Sequence, residues 1–236
     1  MLILALDTTT RAGSIALLRS DALLRSDALL HEASGDPGVT HGQRLPGDLI
    51  RACAAAGVTI ADVELFAVAA GPGSFTGLRI GIATMQGLAM ARGGRIVAVS
   101  TLEAIAAAAP LGPARIAAWM DAQRGEVFAQ VFEREGSVVR PITDAVAAAP
   151  RVVLERQQSW VDGAAFEGDG AVRYRTEIQT LLGPDTPVAD AVPPLASAIA
   201  RIAAHAPDRA VLPHAVVPIY VRKPDAELAR DRRGGA

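Results

Sequence analysis

Short apolar runs separated by polar turns predict the first strands of this chain. Residues 2–6 are apolar and are followed by Asp7 and three threonines, and residues 15–18 form a second apolar run after Gly13. This order is typical of a strand, a polar turn and a second strand. The six residues LLRSDA then occur twice in succession, at 17–22 and 23–28. Six residues are too few for a solenoid unit, so we expect a lengthened hairpin whose tip, around residues 19–27, protrudes or frays.

The pattern of residues 66–92 joins a strand, a glycine-rich turn and a helix without interruption. Residues 66–70 are a continuous apolar run, which predicts a strand covered on both faces. A Gly-Pro-Gly turn ends it, and Ser74 or Thr76 can cap a helix over residues 77–92.

Small residues recur along this helix at spacings of three and four: Gly77, Gly81, Thr84, Gly87 and Ala91. Each interior glycine costs the helix about 1 kcal/mol relative to alanine, so we expect another backbone to approach closely as compensation. That backbone lies either in the same domain or on a partner protein, and the sequence leaves both open. The P-loop pattern fails because no lysine followed by serine or threonine occurs in residues 71–77.

A second amphipathic helix is predicted after Thr40, which forms a capping-box pattern with Gln43. Its apolar stripe comprises Leu45, Leu49, Ile50 and Cys53. Pro46 predicts either that the regular helix begins at Leu45 or that its first turns are kinked.

Strand and helix patterns begin again after the proline-bounded segment 110–113. The runs 115–122 and 126–133 flank a Gln-Arg-Gly turn, which predicts a hairpin. A short strand at 152–154, helices near 172–182 and 195–205, and an extended segment at 216–221 are expected to follow. The whole pattern predicts an α/β chain of two related lobes. The predicted domains are residues 1–110 and 111–236, with a disordered tail from about residue 227.

The composition limits the classes of binding partner and the cellular compartment that we expect for this chain. The net charge of −2 gives no global attraction to nucleic acid or to an anionic membrane. Cys53 is the only cysteine, so no intramolecular disulfide can form. The start MLILALDTTT lacks the basic region of a signal peptide, and no apolar run is long enough for a membrane span. We expect a soluble, cytoplasmic protein.

The residues that most often carry catalysis form no recognisable site. The four histidines, His31, His41, His205 and His214, lie in no metal-ligand spacing. Ser74 lies outside a G-x-S-x-G frame. Cys53 lies on an apolar stripe, which is typical of an inert buried thiol. We therefore predict no catalytic residue and no metal site.

Asp7, Thr8, Thr9 and Thr10 have two interpretations. A carboxylate after a buried strand, followed by hydroxyls, could hold a hydrated magnesium ion and a phosphate tail. The same residues are also typical of a polar turn that bonds its own backbone. Residues 168–170, Gly-Asp-Gly, are the one later segment that could act as a degenerate adenosine clamp.

Four segments of the chain together resemble the TsaB (YeaZ-like) family. They are DTTTRAGSIAL at 7–17, AVAAGPGSFTGLRIGIATMQGLA at 67–89, DAQRGEVF at 121–128 and YVRKPDAE at 220–227. The second segment is the most specific of them. The resemblance implies an actin-like, Hsp70-like (ASKHA) nucleotide-binding fold built from two ribonuclease-H-like lobes.

The resemblance also implies a role in tRNA modification. Members of this family are bacterial partners of TsaD in making N6-threonylcarbamoyladenosine (t6A) at position 37 of tRNAs that read codons starting with adenine. They are regarded as noncatalytic scaffold or dimerisation subunits that bind and activate TsaD, which carries the metal and the nucleotide chemistry. A TsaE-type ATPase is a further component. The resemblance therefore implies no cofactor of this chain's own, an optional ATP or ADP at the partner interface, tRNA contact through the complex, homodimerisation when alone, and no membrane.

Interface residues follow from the same resemblance. In the TsaD relatives, the helix that corresponds to the one near Thr40 bears two metal-binding histidines one turn apart. Here His41 is followed at that spacing by Leu45, so a two-histidine site cannot form. Family members associate through two helices of the N-terminal lobe, which implies these interface residues: Leu45, Leu49, Cys53, Ile80, Thr84, Gly87 and Leu88. The LLRSDA duplication and the Pro46-Gly47 pair depart from the family pattern.

Two other functions remain as alternatives. The first is an actin-fold ATPase or small-molecule kinase that uses Asp7 as its metal partner. The second is a metallopeptidase of the kind once proposed for the wider family, which the missing ligand set opposes.

Overall fold

A computed structural model describes residues 1–21, 23, 26–110 and 112–222 of the chain. In this part the chain forms two β-sheets with helices between them and on their outer faces. No helix among these residues combines the length and the hydropathy that crossing a bilayer requires.

The first sheet has five strands in the order β3-β2-β1-β4-β5. Strands β1 to β3 form an antiparallel meander, and β4 and β5 run parallel to β1. The strands are β1 (Leu2–Asp7), β2 (Ser14–Asp21), β3 (Ser26–Ser34), β4 (Leu65–Gly71) and β5 (Arg95–Ser100). The associated helices are α1 (His41–Ala55), α2 (Phe75–Arg92) and α3 (Thr101–Ala108).

The second sheet has a similar arrangement, in the order β10-β6-β7-β8 with β9 paired to β7, and its last three strands in sequence are short. Strand β10 is parallel to β6, whereas β7 is antiparallel to its neighbours. The strands are β6 (Arg115–Asp121), β7 (Val127–Glu135), β8 (Val138–Pro141), β9 (Val146–Ala148) and β10 (Ala165–Glu167). The helices are α4 (Pro150–Arg156), α5 (Gln158–Val161), α6 (Asp169–Arg173), α7 (Arg175–Leu182) and α8 (Ala196–His205).

Side chains of β1 alternate between two separate apolar clusters, because successive residues of a strand point to opposite faces of its sheet. Ile3 and Ala5 belong to a cluster that also contains residues of β6, α3 and α8. Leu4 and Leu6 belong to a second cluster, which packs under α1 and α2. Both faces of β1 are therefore buried, and the residues of β4 are buried too, as the continuous apolar run 66–70 predicts.

Helix α8 packs on β1 and β2 although it follows the second sheet in sequence. Backbone amides of Leu195 and Ala196 donate to Ser14 Oγ at 3.1 and 3.0 Å, and the amide of Ser197 donates to Glu32. The predicted boundary at 110/111 falls between α3 and β6 and stays a prediction. The chain nevertheless returns to the first sheet after completing the second.

The long hairpin is more regular than its predicted frayed tip. Pairing of β2 with β3 continues through Ser20 with Asp27 and Asp21 with Ser26, so the prediction that these residues fray is wrong. Inter-strand hydrogen bonding holds them in the sheet. Residues 22, 24 and 25 lie outside the described residues, as does the predicted tail from residue 227.

Three other predicted elements differ from the structure. Helix α1 begins at His41 and includes Pro46, and Thr40 donates to the side chain of Gln43 instead of capping the helix. The helix expected near 172–182 is divided into α6 and α7 at Tyr174. The short strand expected at 152–154 is wrong, because these residues belong to α4, which Pro150 opens in its first turn; a run of three apolar residues does not distinguish a strand from a helix.

Glycines of α2 separate into two groups that face different surroundings. Cβ atoms on Gly77 and Gly81 would overlap Thr8 of the same chain, whereas in the part of the chain that the structure describes nothing lies within 4 Å of a Cβ on Gly87. Thr8 Oγ1 donates to the carbonyl of Gly77 at 2.8 Å, and Ser74 caps the helix by accepting from the amide of Gly77 at 3.3 Å. The close approach expected at Gly77 and Gly81 is therefore intramolecular, and Gly87 needs another explanation.

Alanine substitutions at Gly81 and Gly87 should have opposite effects on the free energy of unfolding. We expect Gly81→Ala to lower it by about 1–3 kcal/mol through overpacking against Thr8. Gly87→Ala should raise it by about 0.5–1 kcal/mol, since alanine favours the helix and meets nothing. Urea unfolding of both variants measures this difference, and equal changes would contradict the assignment of the two faces.

Candidate functional site

The turn that follows β1 satisfies its own polar groups. Asp7 Oδ1 accepts from the amide and the hydroxyl of Thr9 at 2.8 and 2.6 Å, and Asp7 Oδ2 accepts from the Thr10 hydroxyl at 3.4 Å. The Thr10 hydroxyl accepts from the amide of Gly13 at 3.1 Å. Asp7, Thr8 and Thr9 are buried. This bonding pattern is that of a polar turn.

Burial leaves little room for a phosphate tail at this turn. The amide of Ser74 donates to the carbonyl of Thr9 at 3.1 Å, so the start of α2 lies directly on the turn. Desolvation raises the pKa of the Asp7 carboxyl, although hydrogen bonds from Thr9 oppose this effect. A phosphate or a hydrated magnesium ion would have to displace these contacts. The geometry favours the polar turn over the phosphate-binding interpretation.

His41 supports the same turn from α1. Its Nε2 lies 2.8 Å from the carbonyl of Thr10, and its Nδ1 lies 2.9 Å from Arg44 Nη2. Both ring nitrogens thus have partners within the chain. Across the described residues, no group of three or more His, Cys, Asp or Glu side chains is placed to hold a metal ion.

The Gly-Asp-Gly segment 168–170 also has structural neighbours. Cβ atoms on Gly168 and Gly170 would overlap the backbone of β6, and Asp169 Oδ1 accepts from the amide of Asp121 at 3.0 Å. Burial raises the pKa of the Asp169 carboxyl. These contacts explain the glycines by the close approach of two backbones.

Asp121 stabilises the tight turn between β6 and β7. Its carboxylate accepts from the Gln123 amide at 3.0 Å and from Arg173 at 2.6 Å. Gln123 and Arg124 both have positive φ, 60° and 57°, and Gly125 follows at 77°. Positive φ at two successive residues is the geometry of a tight hairpin turn, so the predicted hairpin is present.

The predicted interface residues of α1 point into their own sheet. Leu45, Leu49 and Cys53 are buried in the cluster that contains Leu4 and Leu6. The expectation that a partner contacts these three side chains directly is therefore corrected, because strands β1 and β2 already cover them. Burial also raises the pKa of the Cys53 thiol, as expected of an inert cysteine.

The outer face of α1 instead presents Ile50, whose side chain is 70% exposed. Ile50 lies five residues after Leu45 and is off the buried stripe, which follows Leu45, Leu49 and Ala52. An apolar residue on the polar face of an otherwise amphipathic helix was the available sequence signal, and grouping Ile50 with the stripe missed it.

The predicted residues of α2 lie nearer to the surface. Ile80, Thr84 and Leu88 are half-buried and Gly87 is exposed. A Cβ on Gly42 would lie 3.8 Å from Ile80 Cδ1, so α1 and α2 are adjacent. We call the exposed parts of these two helices the α1–α2 surface, defined by Ile50, Ile80, Thr84, Gly87 and Leu88.

The buried Asp7 carboxyl should make stability fall as pH rises. Because burial raises its pKa in the folded chain above the ordinary value of 3.8, the folded chain binds this proton more tightly than the unfolded chain does. Its stabilising contribution is complete below the ordinary value and is lost as pH rises through the raised pKa. The asparagine of Asp7→Asn does not titrate. As pH increases from 3.8 through the raised pKa, the free energy of unfolding of this variant should therefore rise relative to that of wild type. Urea unfolding at steps from about pH 4 to about pH 8 tests this, and parallel profiles would contradict it.

The sequence matches proteins of t6A biosynthesis. Residues 37–227 match the family model described as TsaD: tRNA N6-adenosine threonylcarbamoyltransferase. The tRNA threonylcarbamoyladenosine biosynthesis protein TsaB of Escherichia coli (strain K12) is 35% identical over 162 residues, covering 67% of each chain. The protein of the same name from Bacillus subtilis (strain 168) is 28% identical over 233 residues, covering 96% of each chain.

Two solved structures share the fold along almost the whole chain. An uncharacterised Pseudomonas aeruginosa protein with similarity to peptidase YeaZ gives a TM-score of 0.75 at 30% identity, covering 94% of this chain and 99% of that one. YeaZ from Pseudomonas aeruginosa gives a TM-score of 0.72 at 29% identity, covering 93% and 99%.

The fold and the matches agree with each other. Each sheet combines an antiparallel meander with a parallel strand, and the likeness to the YeaZ structures confirms the predicted actin-like, Hsp70-like (ASKHA) fold with ribonuclease-H-like lobes. With identity and coverage at these levels, the chain belongs to the TsaB (YeaZ-like) family, within the wider group that the TsaD family model describes.

Proposed function

We propose that this protein is a subunit of the machinery that makes t6A in tRNA, and that it acts as a noncatalytic scaffold which binds and activates a TsaD-type transferase. Membership of the TsaB family supports the pathway. The observation that carries the scaffold role is the α1–α2 surface, where α1 exposes Ile50 and the adjacent α2 presents half-buried Ile80 and Leu88 and an exposed Gly87.

Gly87 is better suited to contact with a partner than to the stability of its own helix. An exposed interior glycine weakens a helix by about 1 kcal/mol relative to alanine. Unlike Gly77 and Gly81, it has no neighbour among the described residues that would exclude a side chain. A partner helix lying across Gly87 would approach the backbone closely, which supports an association of two helices from each protein.

The polar groups of the turn after β1 bond to each other, which supports our proposal that the chain has no catalytic activity of its own. In an actin-fold ATPase this turn would hold the metal and phosphates, whereas here Thr9 and Thr10 bond the Asp7 carboxylate and α2 covers it. The ATPase or kinase alternative has no observation that favours it. The proposal includes five further points. They are a TsaE-type ATPase as a component, an optional ATP or ADP at the interface, tRNA contact through the complex, a homodimer of the isolated chain and a cytoplasmic location.

The proposal predicts a stoichiometric heterodimer between this protein and TsaD of the same cell. Light scattering on a sizing column, at micromolar concentrations of the two folded proteins, measures it. Two proteins that elute separately would contradict the scaffold role and leave the fold unaffected.

Substitutions on the α1–α2 surface should weaken this heterodimer without unfolding the chain. We expect Gly87→Leu and Ile50→Asp each to raise Kd by about tenfold or more, because one adds bulk and the other a charge at a close-packed contact. Leu181→Asp on α7, which replaces an apolar residue of 43% exposure, is the matched control. A control that weakens binding as much as Ile50→Asp would contradict the assigned surface.

The isolated protein should hydrolyse no ATP above the rate of an Asp7→Ala variant that remains folded. Phosphate release, measured with magnesium and without TsaD, tests this expectation. Turnover that requires Asp7 would instead support the actin-fold ATPase.

A further inference from the structure

The segment that follows α8 crosses α2 on the side that faces away from α1. Val211 pairs with Ile96 of β5, and Gln86 Nε2 donates to the carbonyls of Pro213 and Val216 at 2.8 and 3.1 Å. The amide of Ile219 bonds the end of β4, and Arg222 pairs with Glu126 at 2.7 Å. We call residues 211–222 the strap. Its backbone is anchored to β4, β5 and α2, and the side chain of its last residue, Arg222, is paired with Glu126 just before β7, so its surface is a fixed feature.

Large apolar side chains are concentrated where the strap meets α2. We call this patch the strap flank, and it comprises Phe75, Met90, Leu212, Val217, Ile219 and Tyr220. Met90 is 68% exposed and Val217 is 67% exposed. Single exposed apolar residues need no explanation. Here four of the six lie on the strap and two on the side of α2 that the strap crosses, and the Phe75 ring stacks on Tyr220. We therefore treat them as one apolar surface of the kind that marks an interaction site.

The strap flank and the residues of α2 on its α1 side, Ile80, Thr84 and Leu88, lie on opposite sides of one low ridge. Phe75, Arg79, Gln86 and Met90 are spaced four, seven and four residues apart, which places them on one side of α2. Between this side and the α1 side, the outermost residues are small: Thr76, Ala83 and Gly87. Because this ridge is low, a single partner can reach over it and contact both surfaces.

Arg79 gives the strap flank a positive charge. Its guanidinium lies 3.9 Å from the centroid of the Phe75 ring, which in turn stacks on Tyr220 at 5.7 Å. Within the described part of the chain, the ion pairs do not include Arg79. The neighbouring Arg222 is already paired with Glu126. A carboxylate on a partner would complement this unpaired cation.

Three alternatives to a partner protein of a different sequence fit the strap flank less well: the chain's own C-terminal residues, a second copy of the chain, and RNA. Residues 223–236 follow the strap, but Leu228 is their only large apolar residue, too little to cover six. In a two-fold symmetric contact of two copies, the strap flank would meet a copy of itself, and none of its six residues is a carboxylate that could pair with Arg79. RNA binding needs several cations against phosphates, whereas the exposed side chains here are mostly aliphatic.

We infer that the TsaD-type partner extends from the α1–α2 surface over the ridge of α2 and onto the strap flank, where it places apolar side chains and a carboxylate opposite Arg79. This inference rests on the proposed function. It assigns a second contact area, formed by the strap and the start of α2, to the same heterodimer.

Charge substitutions in the strap flank test the inference. Met90→Asp and Val217→Asp should each raise the Kd for TsaD of the same cell by about tenfold or more. Arg79→Glu should weaken binding further than Arg79→Lys does, because only lysine retains the positive charge. Leu181→Asp again serves as the matched control, and circular dichroism with thermal unfolding shows that each variant is folded. Biolayer interferometry measures Kd.

The outcomes separate this inference from the proposed function. If wild type does not bind TsaD, both are overturned. If wild type binds and Gly87→Leu weakens binding while Met90→Asp and Val217→Asp do not, only the inference is overturned. Equal binding by Arg79→Glu and wild type would overturn the charge pairing. A tRNA anticodon stem-loop that binds wild type but not the strap-flank variants, with the heterodimer intact, would identify RNA as the occupant and overturn the inference.

Discussion

Close packing of the turn after β1 against the glycine face of α2 is the contact on which the rest of the structure depends. The Thr8 hydroxyl reaches the carbonyl of Gly77, and Thr9 accepts from the amide of Ser74. Only residues without a Cβ at positions 77 and 81 let the two backbones come this close. The turn thereby fixes the position of α2 on the first sheet and determines which side of α2 faces outward.

This packing separates the chemistry of the turn from the function of the surface. In a nucleotide-binding fold, a carboxylate at the end of β1 is well placed to meet metal and phosphate. Here Asp7 is buried, bonded to Thr9 and covered by the start of α2, so its polar atoms stabilise the fold. Helix α2 is left with an exposed ridge between two partly exposed apolar sides, on which the proposed scaffold role rests.

Helix α2 therefore serves four neighbours with four sides. Leu78, Ile82 and Met85 face the core, and Gly77 and Gly81 face the turn. Ile80 lies towards α1, and Gln86 holds the strap on the opposite side. Successive residues of a helix lie about 100° apart around its axis. Because each side of α2 meets a different neighbour, glycines are needed on one side and large apolar residues on others, so the sequence shows no simple amphipathic stripe.

The sequence by itself determined strands β1, β2, β4, β6 and β7, a helix cap at Ser74 or Thr76, the hairpin at Gln123 and Arg124, and the family, because each depends on local residue chemistry or on a specific motif. Tertiary structure decided which apolar residues are interior. An apolar stripe such as Leu45, Leu49 and Cys53 has the same pattern whether it meets its own sheet or a partner, and only the position of β1 and β2 shows that it meets the sheet. The return of α8 to β1 and the strap across α2 likewise depend on contacts between residues far apart in sequence, for which local patterns carry no signal.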